Sequence, residues 1–215
     1  MKLFHYAHPD RYQGIVIGKE GLKPETKLGI TPNLQKKKFV FALTDPQPEK
    51  WLQNTEFSKA VWHRLIMNAG TLLLDFDFDE QNQEAYVADW GHREGYLLGK
   101  RDKNAPERFT HDSREEAEEA YASTMVELKR YLDDPGLAQS YSLPEILIPG
   151  KIPADLIHVS ETQPEIERLI EFARENPNSL EIHRSNLANI PELHNQLMEI
   201  DSHLAELEGG VSRRG

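Results

Sequence analysis

Two polar side chains stand out by their placing, His5 at the mouth of one strand-like stretch and Glu145 at the entrance of another, and Tyr6, Phe41 and Tyr141 are aromatic residues on or beside predicted strands. Glu145 is a lone acid at the entrance of an apolar run, Ile146-Leu147-Ile148. A carboxylate held there can stabilise a developing positive charge or accept a hydrogen bond from a hydroxyl. His5 stands at the mouth of a short strand-like stretch, Leu3-Phe4-His5-Tyr6, and can hydrogen-bond through either ring nitrogen. The rings of Tyr6, Phe41 and Tyr141 offer flat faces on which a planar group can stack.

Several other chemistries are excluded. The 215 residues include no cysteine, which removes disulfides, zinc–thiolate sites and thiol nucleophiles. The nine histidines show no H-E-x-x-H or comparable spacing, so no metal site is expected. No Walker loop, G-x-G-x-x-G or G-x-S-x-G occurs. Asp75, Asp77 and Asp79 alternate as in a calcium loop. Such a loop wants glycine at its sixth position and glutamate at its twelfth, where this chain has Glu80 and Tyr86. The run therefore reads as a strand end facing solvent. The formal net charge of −11 makes the chain a poor non-specific binder of nucleic acid, and Lys36-Lys37-Lys38 reads as a solvated loop.

These residues must be positioned by elements that the hydrophobic pattern outlines. After the first strand, Pro9 suits a helix start and Tyr12, Ile15 and Val16 share a face. This predicts a helix over 9–18, stopped by Gly21. Residues 25–38 read as a polar loop, and Phe39 to Leu43 as a buried strand. Helices are predicted from about Glu49 and over 58–69, the latter closed by Gly70. Thr71 to Asp79 is the clearest strand, Glu84 to Trp90 a further one, and His92-Arg93-Glu94 reads as a surface turn in preference to a pocket lining. Residues 99–113 are polar and irregular. Asp112 or Ser113 can cap a helix over 114–132, whose apolar stripe includes Ala117, Tyr121 and Leu128. Asp133-Asp134-Pro135-Gly136 should end it. Strands follow at 145–148 and 156–159, joined by a proline-rich turn. Thr162 and Glu165 form a capping box for a further helix. The last helix, from about Pro191 to Glu208, carries Leu193, Leu197, Ile200, Leu204 and Leu207. That heptad-like stripe packs on the main core or serves a partner or self-association. The absence of a leader pattern and of any 18-residue apolar run points to a cytoplasmic setting without a membrane span.

The order and spacing of His5-Tyr6, Phe39 to Thr44 and Glu145 resemble the three-part signature of the histidine-type ADP-ribosyltransferases. That superfamily includes diphtheria-toxin-like enzymes, poly-ADP-ribose polymerases, DNA-modifying toxins and RNA 2′-phosphotransferases. The stretch from Leu143 to Ile148, followed by Ile152-Pro153-Ala154-Asp155-Leu156-Ile157, is similar to the surroundings of the catalytic acid in several bacterial members. The resemblance covers residues 1–160 and implies an α+β fold with a split β-sandwich core and surrounding helices; beyond it the pattern predicts a helical extension over 161–208 and a disordered tail at 209–215. The resemblance implies an NAD-dependent mono-ADP-ribosyltransferase or NAD-cleaving toxin or effector, acting in the cytoplasm or delivered into that of a target cell. Glu145 would stabilise the oxocarbenium-like ribose as nicotinamide leaves. His5 would orient the ribose hydroxyls, and Tyr6, Phe41 or Tyr141 would stack on nicotinamide, in a cleft between the strands bearing His5 and Glu145. The acceptor would be a protein or a nucleic acid. Two departures matter: the second strand lacks the family's usual tyrosine, and Leu143 replaces the glutamate or glutamine common in arginine-modifying members. The alternatives are an RNA 2′-phosphotransferase, against which the acidic charge counts, and a non-catalytic interaction protein on the same fold.

Overall fold

The computed structural model describes residues 1–7, 16–24, 38–46, 61, 65, 69–70, 72–99 and 107–162. They lie in the first of two compact units, Met1–Pro164. The second unit, Glu165–Gly215, lies outside the described residues, and with it the predicted C-terminal helices and their leucine stripe. So do the start of the predicted first helix, the lysine loop, the predicted helix from Glu49, most of the one over 58–69, and residues 100–106.

In chain order the elements are β1 (Lys2–Ala7), α1 (Val16–Glu20), β2 (Val40–Ala42), β3 (Leu72–Asp77), β4 (Tyr86–Asp89), α2 (Gly91–Gly99), α3 (Arg114–Ser123), β5 (Val126–Glu127), α4 (Leu128–Asp133), α5 (Pro135–Ser140), β6 (Pro144–Ile148) and β7 (Ile157–Val159). The fold is α+β with two antiparallel sheets, of strand order β1-β3-β7 and β2-β6-β4-β5. The sheets touch where Phe4 and Leu43 exchange both backbone hydrogen bonds, at 2.9 and 2.8 Å. Among the described residues, no helix is long and apolar enough to cross a membrane.

Period-two alternation assigns the faces. Leu3 and Ala7 on β1 and Leu74 and Phe76 on β3 join Val40, Ala42, Val87, Ile146 and Ile148 of the other sheet in one hydrophobic cluster. All five residues of β6 are buried, so this strand is covered on both faces, and its sequence is apolar but for Glu145. Ile146 and Leu147 are fully buried on opposite faces, each contributing about 1.5–3 kcal/mol.

Gly21 ends α1 as predicted. Its φ is +76°, its N–H bonds the Ile17 carbonyl at 2.8 Å, and a Cβ there would lie 2.1 Å from the Ile152 carbonyl oxygen. That close approach lets Leu22 and Ile152 exchange backbone bonds at 2.9 and 3.0 Å. Ser113 caps α3 by accepting the Glu116 N–H at 3.1 Å.

Three local expectations are corrected. The predicted helix over 114–132 breaks after Ser123. The Thr124 hydroxyl bonds the Tyr121 carbonyl at 2.7 Å and accepts the Asp89 N–H at 2.9 Å, a side-chain competition with helical bonding. Val126 and Glu127 then add a short strand to β4. Asp133-Asp134 ends the helical stretch as expected, α4 stopping at Asp133, and Asp134-Pro135 also starts α5: Asp134 accepts the Leu137 N–H at 3.0 Å and Pro135 takes the first turn. His92, Arg93 and Glu94 sit in α2, not in a surface turn, and Glu94 is buried. Finally, Asp75 is buried, 3.4 Å from the Lys2 ammonium, while Asp77 and Asp79 are exposed.

Candidate active site

Glu145 is the second residue of the central strand β6 and is 4% exposed. Its neighbours Pro144 and Ile146 point to the inter-sheet side, so its carboxylate points to the other face. There α3 supplies Tyr121, whose hydroxyl donates to Glu145 Oε2 at 2.9 Å. From α2 the Arg93 guanidinium carbon lies 5.8 Å from the centre of the Tyr121 ring, within reach of a cation–π contact. Burial, the Glu145 charge and the hydrogen bond to it together push the Tyr121 phenol well above its ordinary value; Arg93 opposes them. The phenol is thus a donor throughout the neutral range.

Asp89 sets where β6 begins. The residue is 3% exposed. Its Oδ1 accepts the N–H groups of Gly91 and Leu143, and its Oδ2 that of Ser142, each at 3.0 Å. One carboxylate therefore starts α2 and fixes the segment entering β6. Trp90 reinforces this by donating its N–H to the Leu143 carbonyl at 2.9 Å.

Register decides which aromatic residues accompany Glu145. Phe41 pairs with Leu147, two residues along β6 from Glu145, so Phe41 and Glu145 are diagonal neighbours on one face, about 7–8 Å apart. Phe4 pairs with Leu43, and stepping two residues along each strand puts Tyr6 on the face of Phe41. Tyr6 is buried and its hydroxyl donates to the Pro46 carbonyl at 2.5 Å. Phe39 meets both Phe41 and Tyr86 edge-on, with ring centres 6.3 Å apart in each case.

His5 lies elsewhere. It pairs with Leu74 and alternates with Leu3 and Ala7, on the inter-sheet face. Its Nδ1 is 2.7 Å from the Phe41 carbonyl oxygen. A carbonyl only accepts, so Nδ1 carries the proton and Nε2 is the acceptor nitrogen of the neutral ring. The imidazole takes the carbonyl that a continued β1–β2 ladder would offer to the Tyr6 N–H. His5 thus fastens the two strands where they diverge. His5 and Glu145 do not share a face. Tyr141 is engaged with other partners: it belongs to the inter-sheet cluster, meets Tyr131 edge-on at 5.2 Å and donates its hydroxyl to the Thr124 carbonyl.

On the helix side a second polar pair is present. His92 Nδ1 is 3.1 Å from His111 Nε2, and His92 meets the buried Phe109 edge-on at 5.0 Å. Among the described residues, no group of three or more His, Asp or Glu side chains is placed to hold a metal ion. A shallow polar groove at the β4–β5 edge, lined in part by Gln83, Glu84, Tyr86 and Glu127, contains none of the predicted site residues.

Tyr121 and Asp89 were not singled out as site residues by sequence pattern, and Arg93 only as part of a triplet read as a pocket lining or a surface turn. Tyr121 sits in an apolar helical stripe, where periodicity reports burial and not the target of the hydroxyl. Comparison of the chain with models of known families, with curated proteins and with solved structures returned no match.

Proposed function

We propose that the protein cleaves the bond between nicotinamide and ribose in NAD, as an ADP-ribosyltransferase-like enzyme with the split two-sheet core of that superfamily. The observation that carries the proposal is the buried Glu145 carboxylate, diagonal to Phe41 on one sheet face. Burying a carboxylate is costly unless it is hydrogen-bonded, and the Tyr121 hydroxyl supplies such a bond from a neighbouring helix. As nicotinamide departs, the ribose ring takes on positive charge. A negative charge already in place beside it lowers the barrier without reorganisation. Phe41 offers the stacking surface of the tyrosine that the second strand lacks, without its hydroxyl contact, and Tyr6 extends that surface. Under this reading His5 acts behind the site, holding the strand of Phe41 through its carbonyl.

The test is release of nicotinamide from NAD by the full chain, with water as acceptor. Wild-type protein releases nicotinamide; Glu145→Gln keeps shape and hydrogen-bond capacity but lowers turnover by a factor on the order of 10² to 10³, with NAD affinity by calorimetry little changed. Absence of release by the wild-type chain, or an unaltered rate in Glu145→Gln, overturns the proposal.

A further inference from the structure

Resting on that reading, we infer that Tyr121 is a positioning residue for the reaction: its hydroxyl fixes the Glu145 carboxylate in the orientation that meets the ribose. The glutamate side chain has three rotatable bonds and stands on a strand, whereas Tyr121 rises from α3 across the interface. The 2.9 Å bond to Oε2 therefore ties the carboxylate to a second, independent element. Tyr121 is itself 1% exposed, and the Arg93 guanidinium lies beside its ring, so the phenol has little freedom to follow a drifting carboxylate. A buried tyrosine hydroxyl needs a partner, and an ionised carboxylate is the stronger kind of acceptor. A ring alone would fill the same space. The hydroxyl is what distinguishes Tyr121 from phenylalanine here, and its hydrogen-bond acceptor is the residue assigned to the chemistry.

Positioning of this kind acts on turnover and not on ground-state binding. Tyr121→Phe should lower the rate of nicotinamide release by about tenfold, on the order of a small loss of alignment, and leave NAD affinity within twofold. The deciding measurement is a double-mutant cycle with Glu145→Gln. If Tyr121 works through Glu145, Tyr121→Phe/Glu145→Gln releases nicotinamide at the rate of Glu145→Gln alone. If the two losses multiply, Tyr121 supports the fold generally and the inference is overturned. The double variant strands no buried charge, so the comparison with Glu145→Gln stands even where Tyr121→Phe alone does not fold. A wild-type rate in Tyr121→Phe overturns this inference and leaves the proposed activity intact. A wild-type chain that releases no nicotinamide overturns both.

Discussion

Replacing Asp89 tests whether one carboxylate holds the entrance to β6. Its three accepted bonds come from Gly91, Ser142 and Leu143, all at 3.0 Å, and the residue is 3% exposed. Asp89→Ala removes the acceptor and leaves three N–H groups without it. Each buried donor left unsatisfied costs about 1–3 kcal/mol. The space vacated by the carboxylate admits water to part of that cluster, so the lower end of the range applies and the loss should be about 3–5 kcal/mol. Asp89→Asn is the informative partner. With its amide oxygen at the Oδ1 position it keeps the bonds from Gly91 and Leu143. Its NH₂ then faces the Ser142 N–H, a donor against a donor, for a loss of about 1–3 kcal/mol. Urea unfolding followed by circular dichroism gives both values, with an unchanged denaturant slope showing that stability alone has moved. Against a typical total of about 5–15 kcal/mol, the alanine variant loses a large share. A loss below about 1 kcal/mol in Asp89→Ala, or equal losses in the two variants, would refute the reasoning.

Two further predictions concern stability. Gly21→Ala forces a side chain into the left-handed region, at about 1–2 kcal/mol, and drives its Cβ to 2.1 Å from the Ile152 carbonyl oxygen; the combined loss should be about 2–4 kcal/mol, read as a lower melting temperature. For His92, burial pushes the pKa below the ordinary value, aided by His111 and Arg108 and opposed by Asp89. The unfolded chain therefore takes up a proton first as pH falls below about 6.5, so stability is unaffected by this group above pH 7 and declines on acidification from there. Melting temperatures at pH 7.5 and 5.5 should differ more in the wild type than in His92→Phe, and an equal difference would remove His92 from the effect.

How much of this was legible in the sequence depends on the range of the interactions involved. Strands β1, β3, β4 and β6 announce themselves by local alternation or apolar runs, and Gly21 and Ser113 by the rules of helix ends. The break in the predicted helix over 114–132 was hidden. Thr124 fits an amphipathic stripe, and only the Asp89 N–H, 35 residues away, turns its hydroxyl into a junction. Glu94 was misread for a related reason: a charged triplet after a strand reads as exposed until a helix and its neighbours cover it. In both cases tertiary contacts between distant segments override a local pattern that was itself sound.

The candidate site divides along the same line. Glu145 is conspicuous because a lone acid interrupts apolar sequence, and Phe41 because it lies in a short hydrophobic strand. Their shared face is a matter of register, and one residue of slip between β2 and β6 would reverse it. The difference between His5 and Tyr6 is likewise one residue. They are adjacent in sequence and so necessarily point to opposite faces of β1; sequence alone does not say which of the two faces carries Glu145. The bridge between Phe4 and Leu43 and the pairing of Phe41 with Leu147 put Tyr6 on that side. This leaves His5 to the Phe41 carbonyl. A histidine assigned to the substrate by position in a motif thus becomes, by geometry, a brace for the strand carrying the aromatic ring.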